Sequence, residues 1–199
     1  MGDGPVTRII SGLVGGRRIH TPPGSGTRPT SDRVREALFS RLEHLDVVHH
    51  ANVLDLYAGS GALGLEAASR GARSVLLVES DWAAVAVARK NVAELGLPGV
   101  SMRAETVERA LLAGPASEHG RCDLVLADPP YDLTEDALGN VLALLVTHGW
   151  LSADAFVVVE RSARSPEPRW PQCLDSVGER RYGETKMWFA DFAGPRGVA

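Results

Sequence analysis

The sequence predicts a doubly wound α/β sheet of mostly parallel strands, and three observations carry that prediction. Four short runs, VLDL (53–56), VLLV (75–78), LVLA (124–127) and FVVV (156–159), are solidly apolar and separated by helical patterns. None of them alternates, which is the habit of strands covered on both faces. A glycine-rich turn follows the first run, where such folds hand a strand over to a helix. Strand–helix alternation of this kind builds a parallel sheet through right-handed crossovers.

The elements follow in order. Residues 8–21, RIISGLVGGRRIHT, read as two short β segments around Gly15-Gly16. Two strands alone are too short to own a core, so this hairpin is expected to be loosely held. PPGSGTRP is a loop by its proline and glycine density. From Ser31 the period changes, and Val34, Leu38, Leu42 and Leu45 form one apolar helical stripe. Thr30 or Ser31 can cap that helix, with Asp32 in the first turn where the dipole favours an acid. Val85, Ala88, Val92 and Leu95 form a second stripe, closed by Gly96. A weaker fifth strand is expected near 99–103. Leu138, Val141, Leu142 and Leu145 form a third stripe. ERRY (179–182) and KMWFADF (186–192), joined by Gly183-Glu184-Thr185, read as an antiparallel hairpin on the sheet edge, with Trp188 or Phe189 in the core. The stretch 161–178 carries no motif. The expected division is a basic hairpin and loop over 1–30 and the main domain over 31–199.

The 199 residues are 44% apolar and 23% charged, which suits one globular domain and excludes disorder. No stretch approaches the roughly 20 apolar residues of a membrane span, and the N-terminal region lacks a signal peptide's apolar core. A cytoplasmic protein with no membrane partner is expected. Cys122 and Cys173 stand apart, outside any CxxC spacing, so neither a disulfide scaffold nor a structural zinc site is expected. His49-His50 reads as a loop pair, because adjacent side chains do not converge on a metal by themselves. The net charge of -4 is unevenly spread. Residues 1–41 carry Arg8, Arg17, Arg18, Arg28, Arg33, Arg35 and Arg41 against Asp3, Asp32 and Glu36, which leaves the remainder acidic. That split reads as a basic attachment surface on an acidic body, or as a solvated hairpin.

After the first apolar run, Asp55-Leu-Tyr-Ala-Gly59-Ser-Gly61-Ala-Leu-Gly64 contains GxGxxG, and Glu79 ends the next strand. Alone, this spacing admits a nicotinamide dehydrogenase. The flanking residues separate the cofactors. A dinucleotide brings an anionic pyrophosphate to the helix N-terminus, where Asp55 would repel it. S-adenosylmethionine carries a sulfonium and an ammonium, which suit a carboxylate, and two ribose hydroxyls, which suit Glu79. The glycines admit close backbone approach. The candidate cofactor residues are therefore Asp55, Tyr57, Gly59, Ser60, Gly61 and Glu79. Ser80 and Asp81 can line the adenosine pocket, though Asp81 can equally cap a helix beginning near Trp82. Glu105 can meet the adenine ring or start the next helix.

Asp128-Pro129-Pro130-Tyr131 follows the strand DLVLA, at the carboxyl edge where α/β sheets place ligands. An exocyclic amine is a poor nucleophile because its lone pair is delocalised into the ring. Accepting hydrogen bonds from its two N–H groups draws the nitrogen toward a tetrahedral shape. Asp128 can supply a carboxylate for this and Pro129 a carbonyl, Pro130 stiffens the turn, and Tyr131 can stack on an extruded base. Guanine sets N1–H beside its N2 amine, two donors for one carboxylate.

DPPY at this place resembles the motif of amino-methyltransferases that act on nucleic-acid bases. With RIISG near the start, TRPTSDRVREALF (27–39) and DLYAGSGALGLEAASRGA (55–72), the chain resembles the RsmD-type 16S ribosomal RNA guanine-N2 methyltransferases, from about Arg8 to Phe192. The resemblance implies a class I S-adenosylmethionine-dependent fold, and methylation of a guanine N2 in 16S ribosomal RNA within a small-subunit particle. It further implies a monomer. The arginines Arg8, Arg17, Arg18, Arg28, Arg33 and Arg35 are then the expected RNA contacts. Two rival readings, a nicotinamide oxidoreductase and a non-catalytic RNA-binding module, each leave part of this set unexplained.

Overall fold

The computed structural model describes residues 7–22, 32–116 and 120–194. A two-stranded antiparallel piece, β1 (Thr7–Arg8) and β2 (Arg18–Ile19), precedes α1 (Asp32–His44). Then β3 (Asn52–Leu56), α2 (Ala62–Ser69), β4 (Ser74–Glu79), α3 (Trp82–Leu95), β5 (Val100–Ala104), α4 (Val107–Leu112), β6 (Cys122–Ala127) and α5 (Glu135–Thr147) alternate. β7 (Leu151–Ser162), β8 (Leu174–Tyr182) and β9 (Thr185–Phe192) complete the elements of the described residues. The main sheet runs β5-β4-β3-β6-β7-β9-β8, parallel through β7 and antiparallel beyond it. This is the expected fold class. Among the described residues, no helix is long and apolar enough to cross a membrane.

Both faces of the sheet are covered, which is why the strand sequences do not alternate. On one face Leu38, Phe39 and Leu42 of α1, Leu65 of α2 and Leu95 of α3 pack with Val53, Leu77, Leu126 and Phe189. On the other, Ala110 and Leu111 of α4 and Leu138, Val141 and Leu145 of α5 pack with Leu54, Val78, Val125 and Trp188. Trp188 and Phe189 are thus both core, one on each face. Helix α1 stops at His44, so Leu45 leaves the stripe expected to hold it and lies 41% exposed. The expected caps Thr30 and Ser31 lie outside the described residues. The C-terminal hairpin forms as expected, but β8 is longer than ERRY and takes in the end of the motifless stretch. It is the outer edge strand, exposed along most of its length, so no apolar pattern announces it.

The N-terminal hairpin differs from the expectation of a loosely held arm. Ile9 and Ile19 are buried in the core shared with α1, α2 and α3. The turn lies so close to α2 that a Cβ on Gly12 would fall 2.0 Å from the Ser69 carbonyl oxygen, and Leu13 N donates to that oxygen at 2.7 Å. Glu66 of α2, with no solvent exposure, accepts from Ile10 N at 2.7 Å and from Ser11 N at 3.0 Å. A piece too small to own a core shares its neighbour's.

Candidate active site

β3, β4 and β6 are adjacent and parallel, and Leu56 stands opposite both Val78 and Ala127. The residues that follow therefore emerge side by side at one edge, at the point where the strand order turns. Chain geometry alone brings together the glycine loop, Glu79 and Asp128.

Glu79 is held by the loop it faces. Its Oε2 accepts from Gly59 N at 2.8 Å, and its Oε1 accepts from Ser80 N at 2.7 Å and Asp81 N at 2.8 Å. Asp55 is 1% exposed and accepts from Gly64 N at 2.8 Å. Burial pushes its carboxyl up to about 7; the Gly64 hydrogen bond opposes this, and the charges of Asp128 and Glu79 add to it. Gly64 has no room for a side chain, since a Cβ would lie 2.4 Å from Leu77 Cδ2, 2.9 Å from Val75 Cγ1 and 3.0 Å from Asp55 Oδ2. Tyr57 adopts φ 61°, a left-handed conformation uncommon for a side chain of its size. Its ring packs against the core beneath α4 and α5, and burial pushes its phenol up.

At the end of β6, Asp128 is half-buried, Pro129 buried and Pro130 exposed. Tyr131 is 55% exposed. Leu133 N donates to Pro130 O at 3.0 Å, which closes a turn. Sequence reasoning missed what anchors that turn. Arg161, buried at the end of β7, donates to Leu133 O at 2.9 Å and to Glu135 Oε1 at 2.5 Å.

Three flanking candidates have structural partners. Asp81 caps α3 by accepting from Ala84 N at 2.8 Å. Glu105 pairs with Arg109 at 3.2 Å, while Thr106 caps α4. Ser80 is exposed beside Glu79.

The expected basic surface is smaller than the sequence implies. Arg35 is 2% exposed and bonds to Thr7, to the Arg8 carbonyl and to Asp32, with Glu66 at 3.8 Å, so it is an internal strut and not a surface contact. Arg17 donates to the carbonyls of Glu94 and Leu95, the C-terminal end of α3. Arg8 pairs with Asp32 at 3.1 Å but remains largely exposed. Arg18 and Arg33 are exposed, and Arg28 lies outside the described residues. Glu66 and Asn91, both buried, were also missed. Each had one signal, a polar residue on the buried stripe of a helix: Glu66 within LEAA (65–68), and Asn91 three residues after Ala88.

Comparison with known proteins agrees with this architecture. A family model described as Conserved hypothetical protein 95 matches residues 7–191. Ribosomal RNA small subunit methyltransferase D of Escherichia coli K12 is 38% identical over 164 residues, covering 82% of this chain and 79% of that protein. Its Haemophilus influenzae namesake is 36% identical over 164 residues, 80% of each. The solved structure of yhhF from Escherichia coli superposes with a TM-score of 0.83 at 32% identity, covering 96% of this chain and 100% of that one. With that span matched end to end, the chain belongs to the Conserved hypothetical protein 95 family, the RsmD family of methyltransferases.

Proposed function

We propose that this methyltransferase moves a methyl group from S-adenosylmethionine to the exocyclic N2 amine of a guanine in 16S ribosomal RNA. One observation carries the reading: Asp55, Glu79 and the Asp128-Pro129-Pro130-Tyr131 turn issue from three neighbouring strand ends. The donor set fits the cofactor. The charges of Glu79 and Asp128 reach Asp55, a grouping that favours a cationic ligand and repels a pyrophosphate. When bound, S-adenosylmethionine supplies an already activated methyl group.

The chain's own residues then bind and orient. Asp55 holds the cofactor's ammonium. Glu79, fixed by three backbone donors, presents its remaining lone pairs to the ribose hydroxyls. Tyr57, Gly59, Ser60 and Gly61 form the loop that lies against it. Asp128 and the Pro129 carbonyl accept the two amine hydrogens and aim the nitrogen lone pair, and Asp128 stands ready for the proton the amine sheds. Tyr131 stacks on the extruded base. No covalent nucleophile is required, so catalysis is positioning together with electrostatics.

The substrate is the small-subunit particle, and the chain acts in the cytoplasm as a single copy. Incubation with labelled S-adenosylmethionine and either extracted 16S ribosomal RNA or intact small subunits tests this, with the modified base mapped afterwards. Label on a guanine N2, greater on the particle, is expected. Label on another base, or binding of NADH in preference to S-adenosylmethionine, defeats the reading.

A further inference from the structure

Asn91 lies on the inward stripe of α3 and is 1% exposed. Its amide bonds to two segments distant in sequence. Oδ1 accepts from His20 N at 2.8 Å, while Nδ2 donates to His20 O at 3.0 Å and to Ser60 O at 2.9 Å. His20 follows β2, where the chain leaves the hairpin, and Ser60 is the middle residue of the glycine loop. His20 offers its N–H and C=O as it would to a neighbouring strand, and the Asn91 side chain takes that strand's place. The same NH₂ group holds the Ser60 carbonyl. Two further contacts hold this end of the hairpin to α3: Arg17 on the carbonyls of Glu94 and Leu95, and His20 Nε2 with Glu94 Oε2 at 2.9 Å.

We propose that Asn91 is a positioning residue that couples the cofactor loop to the N-terminal hairpin. The proposal rests on the reading of the glycine loop as the S-adenosylmethionine loop. One buried NH₂ serves both partners, so a shift of either leaves a carbonyl or an N–H unpaired away from water. Coupling between two such elements is reciprocal by linkage. A cofactor that fixes Ser60 therefore tightens the hairpin, and a seated hairpin raises cofactor affinity. The hairpin carries the exposed Arg18, one of the arginines expected to meet RNA, so the hairpin's position also sets where that side chain stands.

Amide hydrogen exchange on the full chain, with and without S-adenosylmethionine, tests the coupling. Ile9, Ile10 and Gly16 report on it, because their amides bond within the hairpin or to Glu66. Cofactor should slow their exchange on the order of ten-fold in the unaltered chain and leave it unchanged in Asn91→Ala. A purely structural Asn91 predicts equal slowing in both, which overturns the coupling. Asn91→Asp provides a second variant of the same shape: it keeps the acceptor for His20 N and removes the shared donor, and it should uncouple equally. His20→Pro deletes one N–H from the other side. In the cycle with Asn91→Ala, the double variant should bind cofactor no more weakly than the worse single one; additive losses reject the coupling. An unaltered chain that binds no S-adenosylmethionine overturns the cofactor reading and the coupling with it. One that binds cofactor while hairpin exchange stays constant overturns the coupling alone.

Discussion

Asp55 gives the binding site a pH dependence whose sign can be worked out. Its carboxyl, pushed up to about 7 by burial and by Asp128 and Glu79, is part protonated near neutrality in the free chain. An ammonium binds the ionised form, so affinity for S-adenosylmethionine should climb as pH rises through about 7, until the cofactor's own α-ammonium begins to lose its proton at about 8. Folding responds oppositely. The folded pKa lies above the ordinary 3.8, so Asp55's contribution to stability is complete below that value and is lost as pH rises through about 7. Calorimetric titration and thermal melts at pH 6, 7 and 8 check both slopes, and Asp55→Asn should flatten both; slopes that survive in that variant reject the assignment. Asp128→Ala should spare cofactor affinity while lowering kcat on the order of 100-fold, as loss of a group acting on the reacting amine does. Near-normal turnover would remove Asp128 from the chemistry. Tyr131, at 55% exposed, is placed to stack. Tyr131→Phe should be tolerated and Tyr131→Ala should cost about 1–3 kcal/mol in RNA binding, measured as the ratio of kcat/KM values. A large loss with Phe would point to the hydroxyl instead.

The glycine loop and α2 work as one element, because Gly64 N binds the Asp55 carboxylate while its missing side chain lets Leu77 and Val75 close in. Gly64→Ala forces a methyl into that contact and should destabilise the fold by about 1–3 kcal/mol, read from the urea midpoint. It should also weaken cofactor binding; unchanged affinity would show that Asp55 is not positioned by this contact. Elements of this kind were legible in the sequence. The runs at 53–56, 75–78, 124–127 and 156–159 all fall within strands, and the glycine turn lies where the fold needs it. Composition and spacing read well wherever an element is buried on both faces. They failed where a polar residue is satisfied at long range. Arg35 looks like a surface cation on a helix, and only the hairpin's return onto α1 shows that it is enclosed. Glu66, Asn91 and Arg161 likewise take partners from other elements, which local periodicity does not record. β5 read weakly because it is the other edge of the sheet and only partly covered.

On the scale of the whole molecule, the hairpin and the sheet share one interior. Removing residues 1–21 strips Ile9 and Ile19 from the core and takes the Ile10 and Ser11 amides from the enclosed Glu66. Two buried isoleucines alone correspond to about 3 kcal/mol or more. The truncated chain should therefore unfold at clearly lower urea than the full one; equal midpoints would show a dispensable arm. The sheet's far side has a consequence for synthesis. β9 lies between β7 and β8, and its Phe189 meets Phe156, with ring centroids 5.9 Å apart, and the Arg41 guanidinium of α1 at 4.8 Å. The seat of the first helix is thus completed by the strand translated after every other described element. Until Met187 and Phe189 leave the ribosome, Leu38, Phe39 and Leu42 wait with an incomplete cover, and contacts so distant along the chain close slowly. A nascent chain halted before Thr185 displays that apolar helix face to chaperones and proteases, so translation through β9 is the step at which the protein becomes able to hide its own core.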